Sequence, residues 1–222
     1  FQTPFPLTTA IDDLTGTNGK DLFIGDNGNQ FLATVQAGDK IDGGAGIDTF
    51  KYYYAGRGSA SILPTLLNVE KVELINLQSN IDFSPVANSG LEEVTLKFNP
   101  VANTISGLRD IKLGIDNVVT NSGFIIGNFG NGTTASVSLT DSTLDELEIQ
   151  GNKVTTINLD LDSEFTGGVN RIKTLNTPLS SSATGGTLNI TGKAGLEITQ
   201  DIQLNSNAVI TVNASTNTGG VD

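Results

Sequence analysis

The stretch that decides the fold is Gly43-Gly44-Ala45-Gly46-Ile47-Asp48-Thr49-Phe50-Lys51. Glycine holds its first, second and fourth places, aspartate the sixth, and a large apolar residue the eighth. Stepping back nine residues at a time gives Gly16–Ile24, Gly25–Ala33 and Thr34–Asp42, with Leu7–Thr15 at the start. The sixth place then reads Asp12, Asp21, Gln30, Asp39 and Asp48. The eighth reads Leu14, Phe23, Leu32, Ile41 and Phe50. The register holds for five blocks without a gap, which is the nonapeptide signature of a parallel β-roll. The block at Gly16 keeps Gly16, Gly19, Asp21 and Phe23, and the block at Gly25 has Gln30 where aspartate belongs. The first and fourth blocks keep only the aspartate and the apolar residue two places on.

The spacing has a physical reason. Glycines let the backbone take positive φ and turn its carbonyls inward. Aspartate adds a carboxylate to those carbonyls, and the apolar residue two places later points into a core. Two blocks make an 18-residue coil in this scheme. Stacking then sets Asp21 opposite Asp39 on one edge, with Asp12 and Asp48 on the other and Gln30 between them. An oxygen-rich gap between stacked turns suits Ca²⁺. Two other readings stay open: ordinary Gly/Asp turns in accidental phase, and a chain in which only blocks two and five bind metal while the middle is a loop.

A second pattern, apolar-x-x-apolar-x-apolar, begins near Leu66. It appears at Val69–Leu74, Leu91–Leu96, Leu108–Leu113, Leu144–Ile149 and Val154–Leu159, with looser copies at Ile172–Leu175, Leu188–Ile190, Leu196–Ile198 and Val209–Val212. Alternation gives each short strand one apolar face. The gaps between copies vary, and the fixed Asn or Cys ladder of a leucine-rich repeat is missing. An irregular parallel solenoid accounts for this best, because each coil buries its apolar face only by stacking on the next. A β-sandwich is the alternative.

Composition narrows the chemistry. Among 222 residues there are no Cys, His, Met or Trp, but there are 26 Gly. Thiolate and imidazole chemistry is excluded, which leaves oxygen as the metal-ligating atom. The net charge of −12 argues against nucleic acid or anionic lipid as partner. It favours hard cations. No apolar run is long enough for a membrane-spanning helix. The chain starts without Met and stops abruptly, and reads as a segment of a longer protein.

Three further groups carry candidate chemistry. Asp160, Asp162 and Glu164 form an acidic trio, read as a second cation site, as part of a carboxylate pair for sugar hydrolysis, or as a solvated turn. Tyr52-Tyr53-Tyr54 could stack sugars, or could close the roll. Arg57, Arg109 and Arg171 are too scattered for the basic cluster a polysaccharide lyase needs.

In order along the chain, Phe5–Thr9, Asp13–Phe23, Gly38–Phe50 and Pro64–Leu74 resemble RTX-type, S-layer-like and adhesin-like surface proteins of Gram-negative bacteria, including Caulobacter-type S-layer proteins. The segment Asn68-Val69-Glu70 favours the S-layer-like group over toxins or proteases. The motif-bearing match covers residues 5–74; beyond it only the composition is similar. The resemblance implies type I secretion and calcium binding outside the cell. Carried onto matching positions, it implies carboxylate ligands from Asp21, Asp39 and Asp48 and carbonyl ligands at Gly16, Asn18, Gly43 and Ala45; the stacking scheme adds Asp12. His-Glu-x-x-His and Gly-x-Ser-x-Gly motifs are absent, so no enzyme activity is expected.

The expectation is an all-β chain: an RTX-like calcium-binding parallel β-roll over residues 1–60 continuing into an irregular parallel β-solenoid over residues 61–222. It is expected to be a secreted structural segment at the cell surface that self-associates into a lattice or filament. The alternative is an adhesin module binding glycan, such as cell-surface polysaccharide, or another surface.

Overall fold

The computed structural model describes residues 3–28, 32–54, 62–86, 90–179, 185–204 and 210–221. It is all-β, 55% strand and 2% helix, and its parallel sheets form a β-solenoid of about 8 turns. The strands are β1 (Thr3–Pro6), β2 (Asp13–Thr15), β3 (Asp21–Asp26), β4 (Lys40–Asp42), β5 (Thr49–Tyr53), β6 (Thr65–Leu67), β7 (Lys71–Ile75), β8 (Ile81–Asp82), β9 (Glu93–Lys97) and β10 (Asn103–Ser106). They continue as β11 (Lys112–Asp116), β12 (Phe124–Asn128), β13 (Thr134–Thr140), β14 (Thr143–Gln150), β15 (Thr156–Asp162), β16 (Val169–Thr177), β17 (Gly186–Gly192), β18 (Gly195–Leu204) and β19 (Ile210–Asn217).

The odd-numbered strands form one 10-stranded sheet in sequence order, with β5 paired directly to β7. The even-numbered strands form the opposite face, three-stranded from β2 to β6 and six-stranded from β8 to β18. Each coil thus gives one strand to each face, and the core lies between them. One inward ladder runs Phe5, Phe23, Phe50, Val72, Val94, Leu113, Val137, Leu159, Ile190 with no break in register. A second runs Tyr52, Leu74, Leu96, Ile115, Leu139, Leu161. Members Phe23 to Ile190 of the first ladder and all of the second are buried. This accounts for the hexad pattern: in Val69–Leu74 the two later apolar residues are inward positions of β7, while Val69 is buried at the corner before it. The two intervening residues make the bend.

The outer face of the long sheet carries paired charges. Lys51, Glu73, Lys97 and Asp116 form one chain of ion pairs at 3.1, 3.4 and 3.0 Å. Lys71, Glu93 and Lys112 form another at 3.2 and 3.5 Å. Coil length is far from constant. Thr3 pairs with Asp21 (21 − 3 = 18 residues on), whereas Thr156 pairs with Thr187 (187 − 156 = 31). Strands must match for hydrogen bonding, but corners project outward and take any length.

At the start of the long sheet, Leu7 N–H donates to the Ile24 carbonyl. Alternation therefore turns positions 4 and 6 of β1 away from β3, and both are proline.

Candidate metal centre

Two stacks of turns position the aspartates. The first precedes long-sheet strands. Thr17 N–H donates to Asp21 Oδ2 at 2.5 Å, closing the turn before β3. Asp21 N–H donates to Asp48 Oδ1 at 2.7 Å across 27 residues. Asp48 N–H donates in turn to Glu70 Oε2 at 2.7 Å. The second stack precedes β2 and β4: Thr8 N–H donates to Asp12 Oδ2 at 2.7 Å, Gln36 N–H to Asp39 Oδ2 at 2.7 Å, and Asp12 N–H to Asp39 Oδ1 at 3.0 Å.

The expected pairing is therefore corrected. Asp21 faces Asp48 and Asp12 faces Asp39, because this coil is 27 residues long rather than 18. The cause is the third block. Thr34 N–H and Val35 N–H both return to the Asp26 carbonyl, at 2.9 and 3.0 Å, so the chain leaves and rejoins the coil at one point. Gln30, the sixth place of that block, lies outside the described residues.

Asp21, Asp39 and Asp48 are completely buried. Asp48 Oδ2 has no hydrogen-bond partner. Burial, then the nearby Glu70 and Asp21 carboxylates, pushes the Asp48 carboxyl above its ordinary range, against the pull of the Asp21 N–H. A methyl group at Gly43 would collide with the Asn68 carbonyl oxygen and Asp48 Oδ2. One at Gly16 would collide with the Gly43 carbonyl oxygen and Asp21 Oδ2. Both glycines thus seat a carboxylate oxygen and a carbonyl oxygen against bare backbone. The turn at residues 43–47 lies directly on that at 16–20, with Ala45 N–H donating to the Thr17 carbonyl at 3.2 Å. Gly44 and Gly46 have φ of +87° and +135°, conformations that glycine adopts without strain. Gly19 is different: its nearest neighbour to an added methyl is 3.7 Å away, so the fold has room for a side chain there. Asn18 lies in the turn between Thr17 and Gly19.

The donor set is all oxygen, with one buried, unpartnered carboxylate oxygen in a glycine cradle. That is ligand chemistry Ca²⁺ accepts. Among the described residues no group of three or more acidic side chains converges as a metal site. A cation here would rely on two carboxylates, Asp21 and Asp48, and on main-chain carbonyls. The sequence reading missed Glu70 as a member of this stack. Its signal was position, one residue before a strand, shared with Asp48.

Asp160, Asp162 and Glu164 are placed differently. Asp160 accepts from Thr191 Oγ1 at 2.9 Å, and Asp162 pairs with Lys193 at 3.1 Å. The Ser163 N–H and then Lys193 hold the Asp162 carboxyl below its usual range. Glu164 lies in the following turn, its N–H on Asp141 Oδ2 at 2.9 Å. Tyr52 and Tyr54 are core residues and only Tyr53 is exposed.

No protein-family model and no curated protein matches this chain. No helix among the described residues is long and apolar enough to cross a membrane.

Proposed function

We propose that this chain is a calcium-stabilised structural segment of a secreted bacterial surface-layer protein, exported by type I secretion and self-associating at the cell surface. The observation that carries the reading is Asp48 Oδ2: a buried carboxylate oxygen with no partner, in the Gly43 cradle, beside the Asp21–Asp48 pair. An uncompensated buried charge destabilises a fold strongly, and a bound cation relieves it. Asp21, Asp48 and the carbonyls of the turns at 16–20 and 43–47 would hold the ion; Asp12 and Asp39 form the equivalent pair in the second stack. Calcium supplies charge neutralisation and cross-linking between coils. Binding only the folded state makes it a folding trigger where calcium is plentiful. It would also offset part of the −12 charge that opposes close packing of copies.

The test is a calcium titration of the purified chain, read by thermal melting and light scattering together. The melting temperature should rise with calcium and fall with chelator, and scattering should rise as copies assemble. Identical melts with calcium and with chelator overturn the metal reading. A calcium-dependent melt with flat scattering keeps the metal and overturns assembly.

A further inference from the structure

The outer face of the long sheet changes character along its length. From β5 to β11 it carries the chains of lysine, glutamate and aspartate described above. From β13 to β19 the outward positions hold short uncharged polar side chains, with Asp160 and Asp162 the exceptions at one margin. Thr134, Thr156, Thr187 and Thr211 pair in succession and form one row. Ser136, Asn158, Asn189 and Asn213 form the next, two residues further along each strand. The register shift between β17 and β19 comes after Asn189, beyond both rows. Alternation aims these side chains outward, because Ala135, Val137, Ile157, Leu159, Leu188 and Ile190 are the buried positions of the same strands.

The two rows make a lattice. Its repeat is about 4.8 Å along a row, the distance between paired strands, and about 6.6 Å between rows, two residues of strand rise. Every member is exposed or half-buried, and neither row contains a charge. The hydroxyls of Thr134, Ser136, Thr156, Thr187 and Thr211 have no hydrogen-bond partner among the described residues. Asn189 Nδ2 donates to Asn158 Oδ1 at 2.9 Å, which aligns those two amides along their row. At the end of that row Asn213 Oδ1 accepts the Ser215 N–H and hydroxyl at 3.3 and 2.8 Å.

These side chains leave their hydrogen bonding to whatever meets the face. Each hydroxyl can donate one bond and accept two. Threonine is branched at Cβ and stiff at χ1, so its hydroxyl and methyl are held in place before anything binds. Such preorganisation lowers the cost of association. A protein partner is a poor match, since the rows lack the large buried anchors that carry protein interfaces. An ionic ligand finds no countercharge in either row. The partner that repeats in two directions and both donates and accepts at every point is crystalline water. On the prism face of hexagonal ice, oxygen atoms recur at intervals close to one strand spacing in one direction and to two residues of strand in the other. The threonine methyls help, because water beside an apolar group already has restricted orientations.

We infer that the threonine and asparagine rows of β13, β15, β17 and β19 bind ice, ordering first-shell water so that it merges with the crystal face. This does not rest on the calcium reading.

The test is nanolitre osmometry of the purified chain in calcium buffer, reading thermal hysteresis and the shape of a single ice crystal, with a melting curve for each protein. Thr156→Lys and Asn189→Lys put a charge in the middle of each row. Thr156→Ser keeps the hydroxyl and removes only the methyl. Thr199→Lys puts the same charge on an exposed position of β18, in the opposite sheet. The parent should hold a crystal without growth over an interval below its melting point and facet it along prism planes. Both row lysines should abolish that interval at an unchanged protein melting temperature, Thr156→Ser should narrow it, and Thr199→Lys should retain it. The inference is overturned by four results: no hysteresis or faceting by the parent, hysteresis that survives both row lysines, equal loss from Thr199→Lys, or a parent dimer in sedimentation that Thr156→Lys returns to monomer. The last would make the lattice a protein interface.

Discussion

The main-chain N–H of Asp21 donates to the carboxylate of Asp48 at 2.7 Å, joining two residues 27 positions apart. Each buried aspartate of this stack thus has a structural duty before any ion is considered: the Asp21 carboxylate closes its own turn through Thr17, and the Asp48 carboxylate stitches one coil to the next. Asp48 differs in retaining a second oxygen with no partner.

That asymmetry makes Asp48→Asn informative. The amide keeps an acceptor for Asp21 N–H and removes a buried charge. In chelator the variant should be at least as stable as the parent, by up to about 1 kcal/mol. With calcium at 100 times its dissociation constant, the parent should gain about 2.7 kcal/mol that the variant forgoes. The curves should cross as calcium rises in paired melting experiments. Equal differences in both buffers would remove Asp48 from the calcium site.

The glycines of the nonapeptide should separate into two kinds. Gly43→Ala forces a methyl against the Asn68 carbonyl and Asp48 carboxylate, and should cost about 3 kcal/mol. Gly19→Ala meets nothing closer than 3.7 Å and should stay within about 0.5 kcal/mol of the parent. Urea unfolding of the two variants side by side measures both. Equal losses would contradict the geometry of the turn.

Far from the aspartates, Asn170 replaces the same stitch with an amide. Its Oδ1 accepts Ser142 N–H at 2.9 Å and its Nδ2 donates to the Asp162 carbonyl at 3.0 Å, with Asn170 and Ser142 both buried. Asn170→Leu leaves both backbone groups unpaired and should cost about 2–3 kcal/mol, lowering the melting temperature by roughly 4–12 °C in a chain of this size. A loss below about 0.5 kcal/mol would show that water substitutes for the amide.

Asp82 sets a pH dependence. The Ser84 N–H and then its hydroxyl hold the Asp82 carboxyl below the ordinary 3.8. A carboxyl depressed on folding stabilises the fold above its unfolded value, and that stability is lost as pH falls through the folded value. Asp82→Asn should therefore melt lower than the parent at pH 7, with the gap closing below pH about 4. A gap that persists unchanged at pH 3 would mean the carboxylate charge is irrelevant.

Much of the fold was legible because one physical rule governs it. Strands in a solenoid bury one face, so inward residues recur every second position, and β7, β9, β14 and β15 all fall within or beside the hexads read from sequence. The corner residue three places earlier, such as Val69 or Leu91, is legible for the same reason: it too is buried. The aspartates were legible as carboxylates recurring at one place of the nonapeptide turns; their burial was not. Which aspartate faces which was not. Pairing depends on how many residues each corner consumes, and the excursion after Asp26 has the same Gly/Asn composition as the coil around it. The exposure of Phe98 and Phe165 was hidden for a related reason. They differ from the buried Phe23 and Phe50 only in lying past the ends of strands, which alternation does not mark.

The two prolines of β1 carry one more consequence. A parallel sheet can extend indefinitely by recruiting strands at its margins, as a crystal grows at a step. A strand approaching β1 finds no donor at Pro4 or Pro6 and forfeits two bonds in succession. Whatever meets the long sheet beside β1 must find its main-chain donors elsewhere than at positions 4 and 6.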